Sequence, residues 1–205
     1  MIAAIDLGDG LAQIATALRV PVLIAAVVVL LLCALELGRF LAEYWRRSVR
    51  GRTFDLRELT EHAIAEPQHA PHYASFAPGA IAAEAVVEIG TAAGPDRKRA
   101  GEHALARYEL AVQRRLDRTR LLVRAGPAIG LMGTLIPLAP GLAALADGNV
   151  SSLAENLRDA FGATVVGLLV GTVAFALTLA RTRMYTEDLA ALEQGAETIL
   201  TPVPR

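Results

Sequence analysis

Three polar side chains mark the two longest apolar stretches of this sequence: Thr134 in one, Asp159 at the head of the other and Thr164 inside it. A carboxylate at membrane depth is costly, and such groups face a bundle interior or a watered path. Loss of water there favours the protonated form, which is what proton exchange requires. Asp159 is therefore the first candidate for chemistry. The plainer alternative is a boundary residue paired with Arg158 or with lipid headgroups. A threonine hydroxyl in a membrane helix commonly bonds back to its own backbone, so Thr134 and Thr164 gain weight only beside Asp159. The four histidines fit no metal-ligand spacing, and His69 and His72 fall in a proline-rich stretch that reads as surface. Cys33, the single cysteine, sits among apolar residues as filler and permits no internal disulfide. Phosphate-loop, nucleophile-elbow and zinc patterns are absent, so neither an enzyme nor a metal or organic cofactor is expected.

The elements that carry these residues follow from how the apolar weight is distributed. Hydrophobic residues make up 54% of the 205, and they are lumped rather than spread. Val20–Leu35, Ala125–Ala146 and Ala160–Ala180 contain no charge, and the latter two runs are 22 and 21 residues long. A hydrocarbon core of roughly 30 Å needs about 20 helical residues, so the fold class is all-α and integral to a membrane, with three spans. The first run is shorter and reaches Gly38 if Glu36 snorkels to the headgroups.

Arginine sets the orientation, because basic residues resist translocation. Arg39, Arg46, Arg47, Arg50, Arg52 and Arg57 follow the first span. Arg114, Arg115, Arg118, Arg120 and Arg124 precede the second, and Arg181 and Arg183 follow the third. The opposite ends carry Asp6, Asp9, Asp147 and Glu155 with only Arg19 and Arg158. The division is an outer segment 1–18, spans at 19–38, 125–146 and 152–180, a helical cytoplasmic region 39–124, an outer loop 147–151 and a cytoplasmic tail 181–205. The first residues hold acids and no basic charge, unlike a cleavable signal. Phe40, Tyr44 and Trp45 form an aromatic belt at the inner end of span one. This topology accounts for the arginines without nucleic acid.

Local signals refine the picture. Residues 1–18 read as amphipathic or irregular, and span one continues to about Arg50 and Gly51. Asp55 with Glu58 resembles a capping box for a helix to Ala65, and Ser152 with Glu155 another for span three. Pro67–Pro78 reads as a loop, Gly79–Ala93 as a helix, and Gly94-Pro95-Asp96 as a break. From Asp96 a long helix runs into span two; its stripe Leu105, Tyr108, Val112, Leu116 and Leu122 must be covered by 39–93 or by neighbouring copies. Pro127, Pro137 and Pro140 each remove a backbone donor, which predicts a kinked or locally unwound outer half of span two. Small residues at Gly126, Gly130 and Gly133, and at Ala163, Gly167 and Gly171, fit the two later spans for close helix packing in a bundle or ring.

The segment Gly126-Pro127-Ala128-Ile129-Gly130-Leu131-Met132-Gly133-Thr134-Leu135 resembles the A-P-x-x-G-L-x-G-T-V of the MotA/TolQ/ExbB proton-channel family. Asp159-Ala160-Phe161-Gly162-Ala163-Thr164-Val165-Val166-Gly167-Leu168 is similar to its E-A-x-x-A-T-x-x-G-L. The likeness covers roughly residues 100–181, and the layout is that of the three-span TolQ and ExbB members. It implies a pentameric ring in the inner membrane of a prokaryote, with its pore lined by the last two spans and filled by a single-span partner of the ExbD/TolR/MotB type. It implies further that Thr134 and Thr164 line the pore and that Asp159 stands where a glutamate is usual. Pro137 and Pro140 replace a stretch that usually holds glycine and aromatics, and Gly171–Ala180 lacks the usual proline and asparagine. The coupling ion is expected to be H⁺, Na⁺ remaining open, since the spans offer few further carboxylates. The competing reading is a non-conducting homo-oligomeric scaffold.

Overall fold

The computed structural model describes residues 7–50, 55–92 and 96–200, with side chains for all of these but 7–12, 15, 16, 49 and 50. The described elements are helical throughout: α1 (Leu7–Arg50), α2 (Leu56–Ala65), a 3-10 turn over Pro67–His69, α3 (Ala70–Ala74), α4 (Ala80–Thr91), α5 (Arg97–Ala146), α6 (Val150–Gly195) and α7 (Glu197–Leu200). Helices α1, α5 and α6 are long and apolar enough to cross a membrane. Only 28%, 28% and 33% of their most apolar windows are buried inside the chain. Water cannot cover the remainder without a large hydrophobic cost, so lipid or further protein must.

The chain divides into two compact units, residues 1–37 with 119–176 and residues 38–118 with 177–205. In the first, α1 turns Val22, Ala26, Val29 and Cys33 inward at alternating spacings of four and three, the stripe of a helix packed on other helices. Val29 and Cys33 meet Leu122 of α5 and Val170 and Ala174 of α6 in one apolar cluster. The Cys33 thiol points at the Val170 carbonyl at 3.9 Å, a weak donor in a packing position. Glu36 takes the next place on this stripe and is buried, 6% exposed, instead of snorkelling. Helix geometry turns it inward with its neighbours, whatever its charge.

In the second unit α2, α3 and α4 gather around an alanine-rich core. Ala63, Val86 and Ile89 are fully buried together with Leu192 and Ala196 of α6 and its end, and Ala104 and Tyr108 of α5 complete the cluster. Small side chains let backbones approach: a Cβ on Gly90 would lie 2.7 Å from that of Ala63, and one on Gly195 2.7 Å from that of Thr60. The Asp55 carboxylate caps α2 by accepting from the Arg57 N–H at 3.2 Å.

Several local expectations give way. The helix of α1 already runs from Leu7, passing through Pro21, so residues 7–18 are not irregular. Pro67–Pro78 is not an open loop, because Pro67 and Pro71 fall in first-turn positions of the 3-10 turn and of α3. There a missing N–H forfeits no helical bond. Helix α5 continues unbroken through Pro127, Pro137 and Pro140 for 50 residues, about 75 Å at ~1.5 Å each, so no unwinding occurs. Membrane helices tolerate interior prolines, and here the lost donors leave the winding intact. Helix α6 starts at Val150, and its cap is Asn149 rather than Ser152. The Asn149 Oδ1 accepts from the Ser152 N–H at 3.1 Å and from the Ser151 hydroxyl at 3.0 Å. Gly148 in the preceding turn has φ 77°, a conformation glycine adopts without strain. Gly51, and the Gly94-Pro95 break, lie outside the described residues.

Candidate functional site

The seam between α5 and α6 is built from the predicted small residues. A Cβ on Gly126 would fall 2.7 Å from the Gly167 carbonyl, and one on Gly167 2.5 Å from the Gly126 carbonyl. Gly130 faces the Cα of Gly167, a Cβ on Gly133 would sit 2.5 Å from that of Ala163, and Gly171 receives the ring of Pro127. All six positions singled out in the two spans therefore take part in a single contact. Without a hydrophobic effect inside lipid, such backbone approach is what holds two membrane helices together.

Thr134 and Thr164 sit on the flank of this seam and are half-buried. Residue 134 follows Gly133 at its contact with Ala163, and a Cβ on Gly130 would lie 3.5 Å from the Thr164 Cα. Both hydroxyls bond to their own helices, Thr134 to the Leu131 carbonyl at 2.7 Å and Thr164 to the Ala160 carbonyl at 3.4 Å. Asp159 is not with them. Five residues at about 100° each put it about 140° around α6 from Thr164, and it meets α1. Its Oδ2 lies 3.2 Å from Arg19 Nη2. The carboxylate is 53% exposed within the chain, so it is neither buried nor paired with Arg158. A small cleft joins the two charges, lined by Val22 and Leu23 of α1 and by Gly133, Ile136 and Pro137 of α5. Arg19 was visible in the sequence only as the lone basic residue before span one.

The second unit holds a polar cluster that the sequence reading missed. Arg47 of α1 binds Asp188 of α6 through both ends, Nη1–Oδ1 at 2.9 Å and Nη2–Oδ2 at 2.7 Å. Arg47 also reaches Glu43 Oε1 at 3.5 Å, and Arg115 of α5 reaches Glu43 Oε2 at 3.4 Å. The Tyr185 hydroxyl donates to the Glu43 carboxylate at 3.0 Å, and that of Tyr108 to Asp188 at 3.3 Å. The Arg47 guanidinium lies over the Tyr185 ring at 5.6 Å. Glu43 and Asp188 are 6% and 8% exposed, so each carboxylate depends on these partners rather than on water. These groups lie beyond the apolar runs. Burial, and then Asp188, raises the Tyr108 phenol above the usual tyrosine range; burial, and then Glu43, pushes that of Tyr185 up to about 12. Both stay protonated and keep donating. The available signal was spacing: Glu43 and Arg47 are one turn apart, as are Tyr185 and Asp188, but Arg47 was read only as a topological charge and the other three were not singled out.

The histidines lie at the surface of the second unit, His69 beside Glu66 at 3.3 Å. Among the described residues no group of three histidine, cysteine or acidic side chains is arranged to hold a metal.

No curated protein and no solved structure matches the chain. A family model described as the MotA/TolQ/ExbB proton channel family matches residues 77–194, more than half of the chain, and so takes in the glycine seam, both threonines, Asp159 and Asp188. With three membrane-length helices and a small-residue seam between the last two, the chain belongs to the MotA/TolQ/ExbB proton channel family.

Proposed function

We propose that the chain is the ring-forming subunit of a proton-driven membrane motor, converting proton-motive force into mechanical work without bond-making chemistry. The observation that carries this reading is the glycine-closed α5/α6 seam with Thr134 and Thr164 half-buried on its flank, in a chain of a proton channel family. Five copies would stand around a single-span partner of the ExbD/TolR/MotB type, the threonine flanks facing the central passage. The apolar surface left open on α1, α5 and α6 supports this, since a ring supplies both lipid and neighbour contacts. Asp159 would load or relay protons at the outer end of the path. As the family resemblance implies, the ring would sit in the inner membrane of a prokaryote, and the arginine distribution favours the N-terminus outside and the C-terminus in the cytoplasm.

One observation favours the non-conducting scaffold instead: both threonine hydroxyls are spent on their own helices, as in a dry interface. Proton flux into vesicles holding the chain and its partner separates the two. The motor reading expects flux that falls severalfold in Thr134→Val and Thr164→Val and to the background of empty vesicles in Asp159→Asn. A sealed wild-type assembly would favour the scaffold.

A further inference from the structure

Arg19 of α1 and Asp159 of α6 join two helices that elsewhere meet through apolar side chains. Val29 and Cys33 pack there with Val170 and Ala174, a contact indifferent to charge. The Arg19–Asp159 contact depends on charge altogether: one prong, Nη2 to Oδ2 at 3.2 Å, between side chains 41% and 53% exposed. The cleft beside it is walled by Val22 and Leu23 of α1 and by Gly133, Ile136 and Pro137 of α5, so beyond Arg19 neither helix offers the carboxylate a charge there. On its own helix Glu155, one turn before, is a like charge, and Arg158, the preceding residue, points about 100° away. Arg19 keeps its charge at every relevant pH. Asp159 is therefore the variable member of the pair, held while ionised and let go once a proton has neutralised it.

We infer that Arg19 is a positioning residue of the proton step: it holds the ionised Asp159 against α1, and the proton that neutralises this carboxylate unties α1 from α6 at that point. The inference rests on the proposed role of Asp159 in the ion path. It makes proton loading a mechanical event, because the helices gain freedom at one level while the apolar contact of Cys33 and Val170 keeps them packed at another. The pair also accounts for the place of the carboxylate, about 140° around α6 from Thr164. While the latch is closed Asp159 is turned to α1; only its neutral form is free to leave.

The test measures the spacing of the two helices by pulsed electron paramagnetic resonance, in vesicles holding the chain with its proposed single-span partner. Spin labels go on Val20→Cys and Phe161→Cys, both exposed, in a Cys33→Ala background, with labelled copies diluted among unlabelled ones. The protein with Arg19 and Asp159 intact is expected to give a narrow distance distribution. Asp159→Asn, a permanently neutral side chain, and Arg19→Gln should each widen it, the double variant should widen it no further, and Arg19→Lys should restore it. In proton flux through the unlabelled complex, Arg19→Gln should raise the pH of half-maximal flux on the supplying side by about one unit, since the proton no longer competes with a fixed cation, and Arg19→Lys should bring it back. Looser packing alone would not move that pH. Equal distributions with and without Asp159→Asn overturn the inference, even if Arg19→Gln does not assemble. So does an Arg19→Gln complex with the wild-type pH profile while Asp159→Asn is inactive; the proposed function then stands. Unchanged flux in Asp159→Asn removes the role of Asp159 itself, and this inference with it.

Discussion

Asp188 and Arg47 form a two-pronged ion pair with side chains only 10% and 15% exposed, and removing one member leaves the other charged and stranded. Breaking such a buried pair costs about 3–5 kcal/mol. Asp188→Ala should therefore lower the thermal unfolding midpoint of the detergent-solubilised protein sharply. Replacing the exposed Glu187, whose partner Arg183 is 83% exposed, should leave the midpoint almost unchanged. Equal midpoints for the two variants would show that the cluster does not hold α1 to α6. Nothing in sequence spacing singled out this pair, because its members are 141 positions apart. The arginine after span one read as a topological signal, which it remains, and the same charge has a second task in packing. Asp159 shows the converse. Its type and place were legible, yet its partner was not, since no local pattern ties residue 19 to residue 159.

At the scale of elements, the α5/α6 seam separates glycines that are needed from one that is not. A methyl on Gly167 would enter the Gly126 carbonyl, whereas one on Gly162 would meet nothing within 4 Å. Gly167→Ala should destabilise by about 1–3 kcal/mol through overpacking and loosen any assembly built on the seam. Gly162→Ala should be neutral or stabilising by up to about 1 kcal/mol, because alanine is the better helix former. Thermal unfolding and the size of the purified complex read both effects. The start of α6 offers a second contrast: Asn149→Ala should cost about 1 kcal/mol and Ser152→Ala far less, since the Asn149 side chain is the cap. Here the sequence pointed to the S-x-x-E pattern at Ser152, whereas the glycine at 148, in a left-handed turn, directly precedes the asparagine that caps the helix. The small-residue seam, by contrast, was readable outright. Four-residue spacing of glycine and alanine maps directly onto one helical face, and steric closeness leaves little choice about what that face meets.

For the whole molecule, the second and third long helices follow from charge-free runs of bilayer length and the first from a shorter one; two short segments already resembled the proton channel family, whose model matches residues 77–194. The helical region between spans one and two was legible in outline only. Its core is built mainly from alanine, so it carries little hydrophobic periodicity, and two of the three prolines that suggested a loop, Pro67 and Pro71, begin helical turns instead. In the proposed reading, function at this scale would depend on what several copies do together around a passage flanked by Thr134 and Thr164. The most direct measurement is proton uptake, under an imposed membrane potential, by vesicles containing the purified chain and the proposed single-span partner. The account predicts uptake that requires both proteins, falls severalfold in the Thr134→Val, Thr164→Val double variant and vanishes in Asp159→Asn, with the complex still intact. Uptake that is absent from the wild-type complex, or that survives all three substitutions undiminished, would contradict it.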